Sequence, residues 1–505
     1  MNATGHRTRL ICSLSSPSFR QVREGMLAAQ IKGADMAEVR LDLLRPLPDA
    51  NTIRDLLASP PLETIATLRP KRQGGAYEGD ESTRLALLQA AADVATYVDV
   101  EDDVPLSQWP RGRVIVSHHD FASNAPDLER LVKTLCETPA EVVKIAFTAN
   151  SPVDAMRALD VLHHANKPMI SIAMGEAGVL SRLTCAKFNA FGTFASMDRE
   201  SGTAPGQPTI EEFLNLYRWR RITPKTELYG VIACPVAHSM SPAIHNAAFD
   251  SCSYDGLYVP CLVEPPAESF DAFMDAAISR PHLDWRGFSV TIPHKKHAID
   301  YVGAKNCDDL SVQIGAVNTI VLAPGKPPRG VNTDYAAAVD SLCKAMGIER
   351  ADLAGMKISV LGAGGVARAV VAALAHHGAN ITIHNRTTQR AKELAEEFAC
   401  SWGELAYAHN TPADVVINCT SAGMHPNLES SPLDSIPTGA KVVFDTIYNP
   451  IETKLLVQGA ARGTRTVSGL EMFVRQAAEQ FEAWTQTPAP LDVMRNVILK
   501  RLSPD

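Results

Sequence analysis

Lys144 stands in "EVVKIAF", a cation set inside an otherwise strand-like apolar run. A charged ammonium in a low-dielectric interior is costly unless it is paired, or neutral and reactive. A desolvated amine attacks ketones and forms a Schiff base with them. His119, in "RVIVSHHD", is of the residue type that titrates near neutrality, and it is the natural general acid/base beside such a lysine. Arg40, Arg69 and Arg182 are suited to holding a carboxylate and hydroxyls, which points to a small anionic ligand. A second set lies downstream: "VTIPHKK" carries Thr291 and Lys295, and "GVNTDY" carries Asp334. Ketone reduction needs a hydride and a proton, and a Lys/Asp pair can position and supply the proton.

The hydride has its own signature. "VLGAGGVARA" follows an apolar run and precedes a helical pattern, the context that makes a glycine-rich turn a dinucleotide site. Gly362 permits the tight turn and Gly364 lets a pyrophosphate approach the backbone at the helix N-terminus. Ala363, Gly365 and Val366 complete the turn, and Ala367 is the third small residue. The next strand ends in "HNRTTQR", where NAD proteins place an acid; Asn385, Arg386 and Thr387 offer a cation and donors instead. NADP(H) is therefore the expected cofactor. Glycine turns also join strands to helices in proteins that bind no nucleotide, and a solvated loop charge is the lesser alternative for Arg386.

These residues need elements to carry them. The first half alternates helical stretches with eight β-rich runs: "RLICSLS", "MAEVRLDLL", "TIATLRP", "TYVDVE", "RVIVSHHD", "EVVKIAF", "PMISIAM" and "FGTFAS". Eight such units predict an α/β fold with an N-terminal (β/α)8 barrel over 1–221, a doubly wound sheet being the competitor. Side chains alternate along a strand. With Val143, Ile145 and Phe147 facing the helices, Lys144 points inward, as do Glu38, Arg40 and Asp42. The same parity pairs Thr67 with Arg69, Asp99 with Glu101 and Ser117 with His119. A self-satisfying interior ion-pair network is the plain alternative to a catalytic site. The chain changes rhythm near "RWRRITPKTELYG". Residues 226–338, with C-terminal helices from 470–505 returning, are expected to form a substrate lobe, and 339–469 a Rossmann lobe.

Composition narrows the partners. With 505 residues, 46% apolar and 21% charged, the chain is an ordinary multi-domain α/β protein. A net charge of −8 without a basic run argues against nucleic acid. Ten scattered cysteines, with no CxxC pair, argue against metal and against a disulfide framework. No apolar stretch approaches about 18 residues and no signal-like h-region opens the chain, so a cytoplasmic protein without membrane association is expected. Oligomeric state is left open.

Taken in order, "AEVRLDLL", "TLRP", "YVDVE", "VSHHDF", "VVKIA", "SRL" and "TAPGQPT" make residues 9–215 similar to type I 3-dehydroquinate dehydratase. The resemblance implies that Lys144 forms an imine with the substrate ketone and that His119 shuttles protons. It also implies that Ser13, Glu38, Arg40, Arg69, Arg182, Thr203 and Gln207 bind substrate. Two positions depart from the family: Gln73 stands in "RPKRQGG" where a glutamate beside the histidine is usual, and Thr203 replaces a serine. The amide of Gln73 is expected to orient the imidazole without stabilising its charged form.

Residues 226–505 resemble shikimate dehydrogenase through "HSMSP", "VTIPHK", "GAVNT", "NTD", "GAGGVARA", "NRT", "NCTSAGM" and "GLEMFVRQA". That resemblance makes Lys295 and Asp334 the catalytic pair. It places Ser239, Ser241, Thr291, Asn318, Tyr448 and Gln476 on shikimate. Asn385, Arg386, Thr387, Thr420, Ser421, Met424 and Gly469 fall along NADP. Ser289 stands where many relatives have asparagine, and serines ahead of a helix are more often caps than ligands. Together the two resemblances imply successive steps of the shikimate pathway on one chain. The competing readings are a quinate dehydrogenase in the second half, a catalytically silent metabolite sensor, and a class I aldolase barrel. Retained Ser241 and the four catalytic residues argue against the first two. The missing phosphate-site glycine loops and the fused dehydrogenase argue against the third.

Overall fold

In the computed structural model, residues 7–122, 124–200, 202 and 206–502 are described. They divide into two compact units, 1–242 with 255–285, and 243–254 with 286–505.

The first unit is built on eight parallel strands: β1 (Arg9–Leu14), β2 (Met36–Arg40), β3 (Glu63–Thr67), β4 (Tyr97–Glu101), β5 (Val114–Asp120), β6 (Val142–Thr148), β7 (Met169–Met174) and β8 (Gly192–Ala195). Their order is β7-β6-β5-β4-β3-β2-β1-β8. A main-chain hydrogen bond from Phe191 N to Met169 O, 2.8 Å, bridges the remaining gap between β8 and β7. This is the expected barrel, and each expected run contains a strand. Its floor is an apolar layer that includes Ile11, Met36, Ile65, Ile115, Val142, Ile170 and Phe194, buried between the strands. Layers of branched side chains of this kind make a barrel interior a packed core.

Three local differences from the sequence pattern stand out. β2 stops at Arg40, and Leu41–Leu43 wind into a 3-10 turn, so Asp42 sits beyond the strand. The β4–β5 connection holds only the 3-10 turn Leu106–Gln108 and no helix. Pro105 and Pro110 flank that turn and remove the amide donors that a helix would need. After β8 the chain forms a π-helical turn, Glu212–Leu216. By contrast helix Pro152–His163, after β6, carries a full start signal, with Pro152 in its first turn and a Ser151/Asp154 capping box. The unit also contains the parallel pair β9 (Glu227–Ala233) and β10 (Gly256–Leu262), and helix Ala267–Ile278.

The second unit contains β11 (Trp285–Val290) from Arg286 onward, β12 (Thr319–Val321) and β13 (Arg329–Val331), paired antiparallel, and helices Lys295–Val302 and Asp334–Met346. A six-stranded parallel sheet follows: β14 (Lys357–Leu361), β15 (Asn380–Asn385), β16 (Ser401–Glu404), β17 (Val415–Asn418), β18 (Val442–Asp445) and β19 (Arg465–Val467). Its order, β16-β15-β14-β17-β18-β19, is that of a Rossmann sheet. The strand order reverses between β14 and β17, where Leu361 pairs with Asn418, and sheets of this kind bind their ligands at that switch point. Helix Gly365–His376 packs onto Ile358, Val360, Ile383 and Val415 with Ala367, Val370 and Ala373, small residues that allow close approach. Helices Gly469–Thr485 and Leu491–Leu502 end the chain.

Candidate active sites

Parallel register puts Ser13 opposite Glu38, Thr67 opposite Asp99, and Ser117 opposite Lys144. These six side chains share the inner face, directly above the apolar floor. Lys144 Nζ lies 3.0 Å from Asp99 Oδ2, 3.6 Å from Glu38 Oε1 and 4.5 Å from the Phe194 ring centroid. Glu38 accepts from Ser13 Oγ at 2.6 Å and from Thr67 Oγ1 at 3.0 Å. Asp99 accepts from Ser117 Oγ at 2.5 Å and pairs with Arg69 at 2.8 Å. Arg69 continues to Glu101 at 2.7 Å, and Glu101 to the fully buried Arg84 at 2.6 Å. The lysine is thus dry but paired: the apolar residues of its strand lie on the other face, and two carboxylates meet the amine. Burial opposes ionisation of Asp99 and Glu38, yet the neighbouring cations, Arg69 and Lys144 foremost at Asp99 and Lys144 foremost at Glu38, hold both carboxyls below their ordinary range.

An ion-pair network therefore exists, but it does not account for everything in the barrel. Arg182 is buried, no carboxylate pairs with it among the described residues, and its Nε has no hydrogen-bond partner. Burial alone drives its guanidinium down to about 10. A buried cation without a counter-ion is unfavourable for folding and is a ready receptor for an anion. His119 sits one strand from Lys144 and two residues nearer the strand ends, with Ala146 as its partner across the ladder. Its Nδ1 is likewise without a partner. Desolvation first, then the cations Arg69 and Lys144, hold the imidazole well below the usual histidine range, so it does not titrate near neutrality as its residue type suggests. A neutral ring at pH 7 is competent to take a proton.

Other expected positions behave differently. Arg40 has its guanidinium fork engaged by Asp42, at 3.0 and 2.8 Å. Gln73 does not reach the imidazole; its Oε1 accepts the main-chain N–H of His119 at 3.2 Å. Gln207 is half-buried, and Thr203 lies outside the described residues. Asp99, Glu101 and Ser117 carry an inward parity that the sequence displays, although it does not single them out as site residues. Arg84 lies on a helix, where no strand parity could flag it.

In the second unit Lys295 and Asp334 each open a helix, and their Nζ–Oδ2 distance is 2.5 Å. The segment before Asp334 is tied down. Asn332 Oδ1 accepts from Asp334 N at 3.1 Å, and Asn318 Oδ1 accepts from Thr333 N at 2.9 Å. Thr333 Oγ1 donates to the Gln476 carbonyl at 3.1 Å. Asn318 is thus occupied inside the protein, its Nδ2 donating to Thr333 Oγ1 at 3.0 Å. Ser289 donates to Gln480 Oε1 at 2.8 Å, and Gln480 Nε2 to the Asn318 carbonyl at 3.3 Å. The Gln476 side chain turns back to the Phe473 carbonyl, and Tyr448 stacks on Phe473 at 4.4 Å. Thr291 lies between the end of β11 and Lys295. A cavity of about 810 Å3 is lined by Lys295, Ile292, Gly315, Gly365 and Arg368, so Lys295 and Gly365 of the glycine turn border one space.

The turn fits a dinucleotide. Gly362 has φ +108°, and a β-carbon there would lie 3.1 Å from the Cys419 carbonyl. Gly364 and Gly365 face open space, with nothing within 4 Å of where a β-carbon would sit, just where helix Gly365–His376 presents its first amides. Ala363 and Val366 are half-buried in this turn, and Ala367 is buried against the sheet. At the end of β15 the Asn385 Nδ2 donates to Thr387 O at 2.9 Å, leaving Arg386 and Thr387 exposed. Thr420 is anchored twice on Asn418 Oδ1, at 2.9 and 2.7 Å, while Ser421 and Met424 stay exposed. Gly469 has a packing reason to be glycine: a β-carbon would come 2.3 Å from Thr446 O. Ser239, in the first unit, accepts from Ser241 N at 3.3 Å, a cap at the start of helix Ser241–Ser251. Among the described residues no group of three His, Cys, Asp or Glu could hold a metal.

Comparison with known proteins matches four stretches of the chain. Residues 10–224 match the type I 3-dehydroquinase family, 231–320 the shikimate dehydrogenase substrate binding domain, 345–454 shikimate/quinate 5-dehydrogenase, and 469–499 the shikimate 5'-dehydrogenase C-terminal domain. The chain is 39% identical over 497 residues to a chloroplastic bifunctional 3-dehydroquinate dehydratase/shikimate dehydrogenase of Arabidopsis thaliana, covering 93% of this chain and 80% of that one. It is 37% identical to an NADP(+) shikimate dehydrogenase of Methanosarcina acetivorans over 54% of this chain and 98% of that one. A crystal structure of a shikimate dehydrogenase in complex with NADP+ matches with a TM-score of 0.51 and 35% identity, over 56% of this chain and 98% of that one.

Proposed function

The chain belongs to the family of bifunctional 3-dehydroquinate dehydratase/shikimate dehydrogenases, and we propose from that premise how its residues divide the two reactions. It is a lyase and an NADP-dependent oxidoreductase of the shikimate pathway. One activity removes water from 3-dehydroquinate to give 3-dehydroshikimate, and the other reduces that ketone to shikimate.

In the barrel, Lys144 adds to the substrate ketone, and water is expelled as the imine forms. The imine acidifies the neighbouring C–H bond. His119, neutral at working pH, takes that proton and passes it to the departing hydroxyl, so that a second water leaves and a C=C bond forms. Hydrolysis of the imine returns the free amine. Arg182 binds the substrate carboxylate; the observation that carries this reading is its burial without a counter-ion among the described residues, in the same barrel as Lys144. Ser13, Glu38, Arg40, Arg69, Thr203 and Gln207 complete the substrate contacts, with Arg40 exchanging part of its bond to Asp42.

In the dehydrogenase, Lys295 donates the proton that the new alkoxide requires, and Asp334 holds the ammonium in place. NADPH, when bound, supplies the hydride. The open turn Gly362–Ala367 would hold its pyrophosphate, Arg386 with Asn385 and Thr387 its 2′-phosphate, and Thr420, Ser421, Met424 and Gly469 its remaining length. Thr291, Asn318, Tyr448 and Gln476 contact shikimate, and Ser239 and Ser241 meet its polar groups, an assignment carried by their motif. The functional domains are 1–221, 226–338 with 470–505, and 339–469. We also propose a cytoplasmic location. None of the described helices is long and apolar enough to cross a membrane, and the Arabidopsis relative is chloroplastic.

Incubating the purified chain with 3-dehydroquinate and NADPH, with the product identified by mass, tests this reading. Shikimate is expected. Quinate as the product, or no turnover, would overturn it.

A further inference from the structure

The proton-transfer residue His119 has no hydrogen bond to its ring among the described residues, so backbone and packing alone must aim it. Its ring stacks on Phe121, centroids 6.1 Å apart, and its N–H is held by Gln73. The preceding residue makes a contact that the reaction does not use. His118 Nδ1 lies 2.9 Å from Asp102 Oδ2, on the face of β5 opposite His119. Asp102 follows β4 and donates its own N–H to Ser117 O at 3.0 Å. Side chain and main chain of Asp102 therefore both grip β5 immediately before His119. The other carboxylate oxygen, Oδ1, is buried without a partner among the described residues, so the group is spent on this one bond.

We propose that the His118–Asp102 pair is a positioning element for dehydration, fixing the end of β5 so that the imidazole of His119 meets the substrate C–H bond. The proposal rests on the reading of His119 as the proton-transfer residue. Charge assistance favours it, because the hydrogen bond to Asp102 raises the His118 imidazole above its ordinary range, and bonds of that kind are shorter and stronger than neutral ones. A surface ion pair with no consequence is the alternative.

The test is steady-state dehydration of 3-dehydroquinate by the full chain. His118→Ala should lower kcat about tenfold to a hundredfold with little change in KM, the range known for cutting the bond that orients a metal-ligating histidine. His118→Asn, whose amide nitrogen takes the place of Nδ1, should recover most of that loss. Asp102→Asn should weaken kcat in the same direction. Borohydride trapping of the substrate on Lys144 should persist in all three, which separates misaimed chemistry from a collapsed barrel. A kcat unchanged in His118→Ala, a loss confined to KM, or His118→Asn no better than His118→Ala would each overturn the proposal. Activity in His119→Ala would overturn the reading of His119 itself. An inactive His119→Ala beside an unaffected His118→Ala would overturn the positioning role alone.

Discussion

Lys144 and Asp99, on β6 and β4, are joined across the barrel interior by an ion pair of 3.0 Å, with Ser117 of the intervening strand donating to the same carboxylate. The pair resolves an apparent conflict in the strand that carries the lysine. The carboxylates keep the burial of this cation compatible with a folded barrel, and they hold its nitrogen on the inner face.

Removing one partner should therefore be costly. Asp99→Asn leaves Lys144 and Arg69 short of a counter-charge, and breaking a buried pair typically costs about 3–5 kcal/mol. Chemical unfolding followed through dehydratase activity should register that loss. Because Asp99 is held below its unfolded range, its stabilisation is present in full above the ordinary carboxylate range. It is lost as pH falls below that range toward the folded value. A variant as stable as wild type at pH 7 would contradict the pairing.

His119 makes a pH prediction of the same sign. Its folded value lies well below 6.5, so the unfolded chain binds this proton more readily, and the associated stability fades as pH falls from 6.5 toward the folded value. For catalysis, the acid limb of dehydratase kcat/KM should lie below pH 6.5. A limb centred at or above 6.5 would mean that another group sets it.

Arg182 separates binding from stability. Arg182→Met removes a buried charge that no carboxylate pairs with among the described residues, so the fold should be unchanged or slightly more stable. The KM for 3-dehydroquinate should rise at least about tenfold through loss of a charge-assisted bond to the carboxylate. A thermal melt and a substrate titration decide it; lost stability with an unchanged KM would assign Arg182 to the scaffold.

For cofactor choice, Arg386→Ala should weaken NADPH by about tenfold, the worth of one exposed charge-assisted contact, and leave NADH nearly untouched. Parallel KM measurements with the two nucleotides check this. An equal effect on both would place Arg386 elsewhere on the cofactor or in solvent.

Much of this was legible before any coordinates. Strand parity alone turned Glu38, Asp99, Ser117 and Lys144 inward, because the period of two is strict and one face of each strand is plainly apolar. The glycine turn was equally plain, since few residues other than glycine suit a tight turn at φ +108°. What escaped the sequence depends on three dimensions. Arg84 reaches Glu101 from a helix, where strand parity says nothing. Gln73 holds the backbone of His119 and not its ring, a choice set by the path of the 3-10 turn Lys71–Gln73. The low titration range of His119 arises from desolvation and two cations that come together only when the barrel closes.

Paired alanine variants test whether the two reactions run on two separate lysines of one chain. Dehydration of 3-dehydroquinate and reduction of 3-dehydroshikimate should be assayed separately in Lys144→Ala and Lys295→Ala. Lys144→Ala should abolish dehydration and retain reduction, while Lys295→Ala should do the reverse. Loss of both activities in either folded variant, or dehydration that survives without Lys144, would contradict that division.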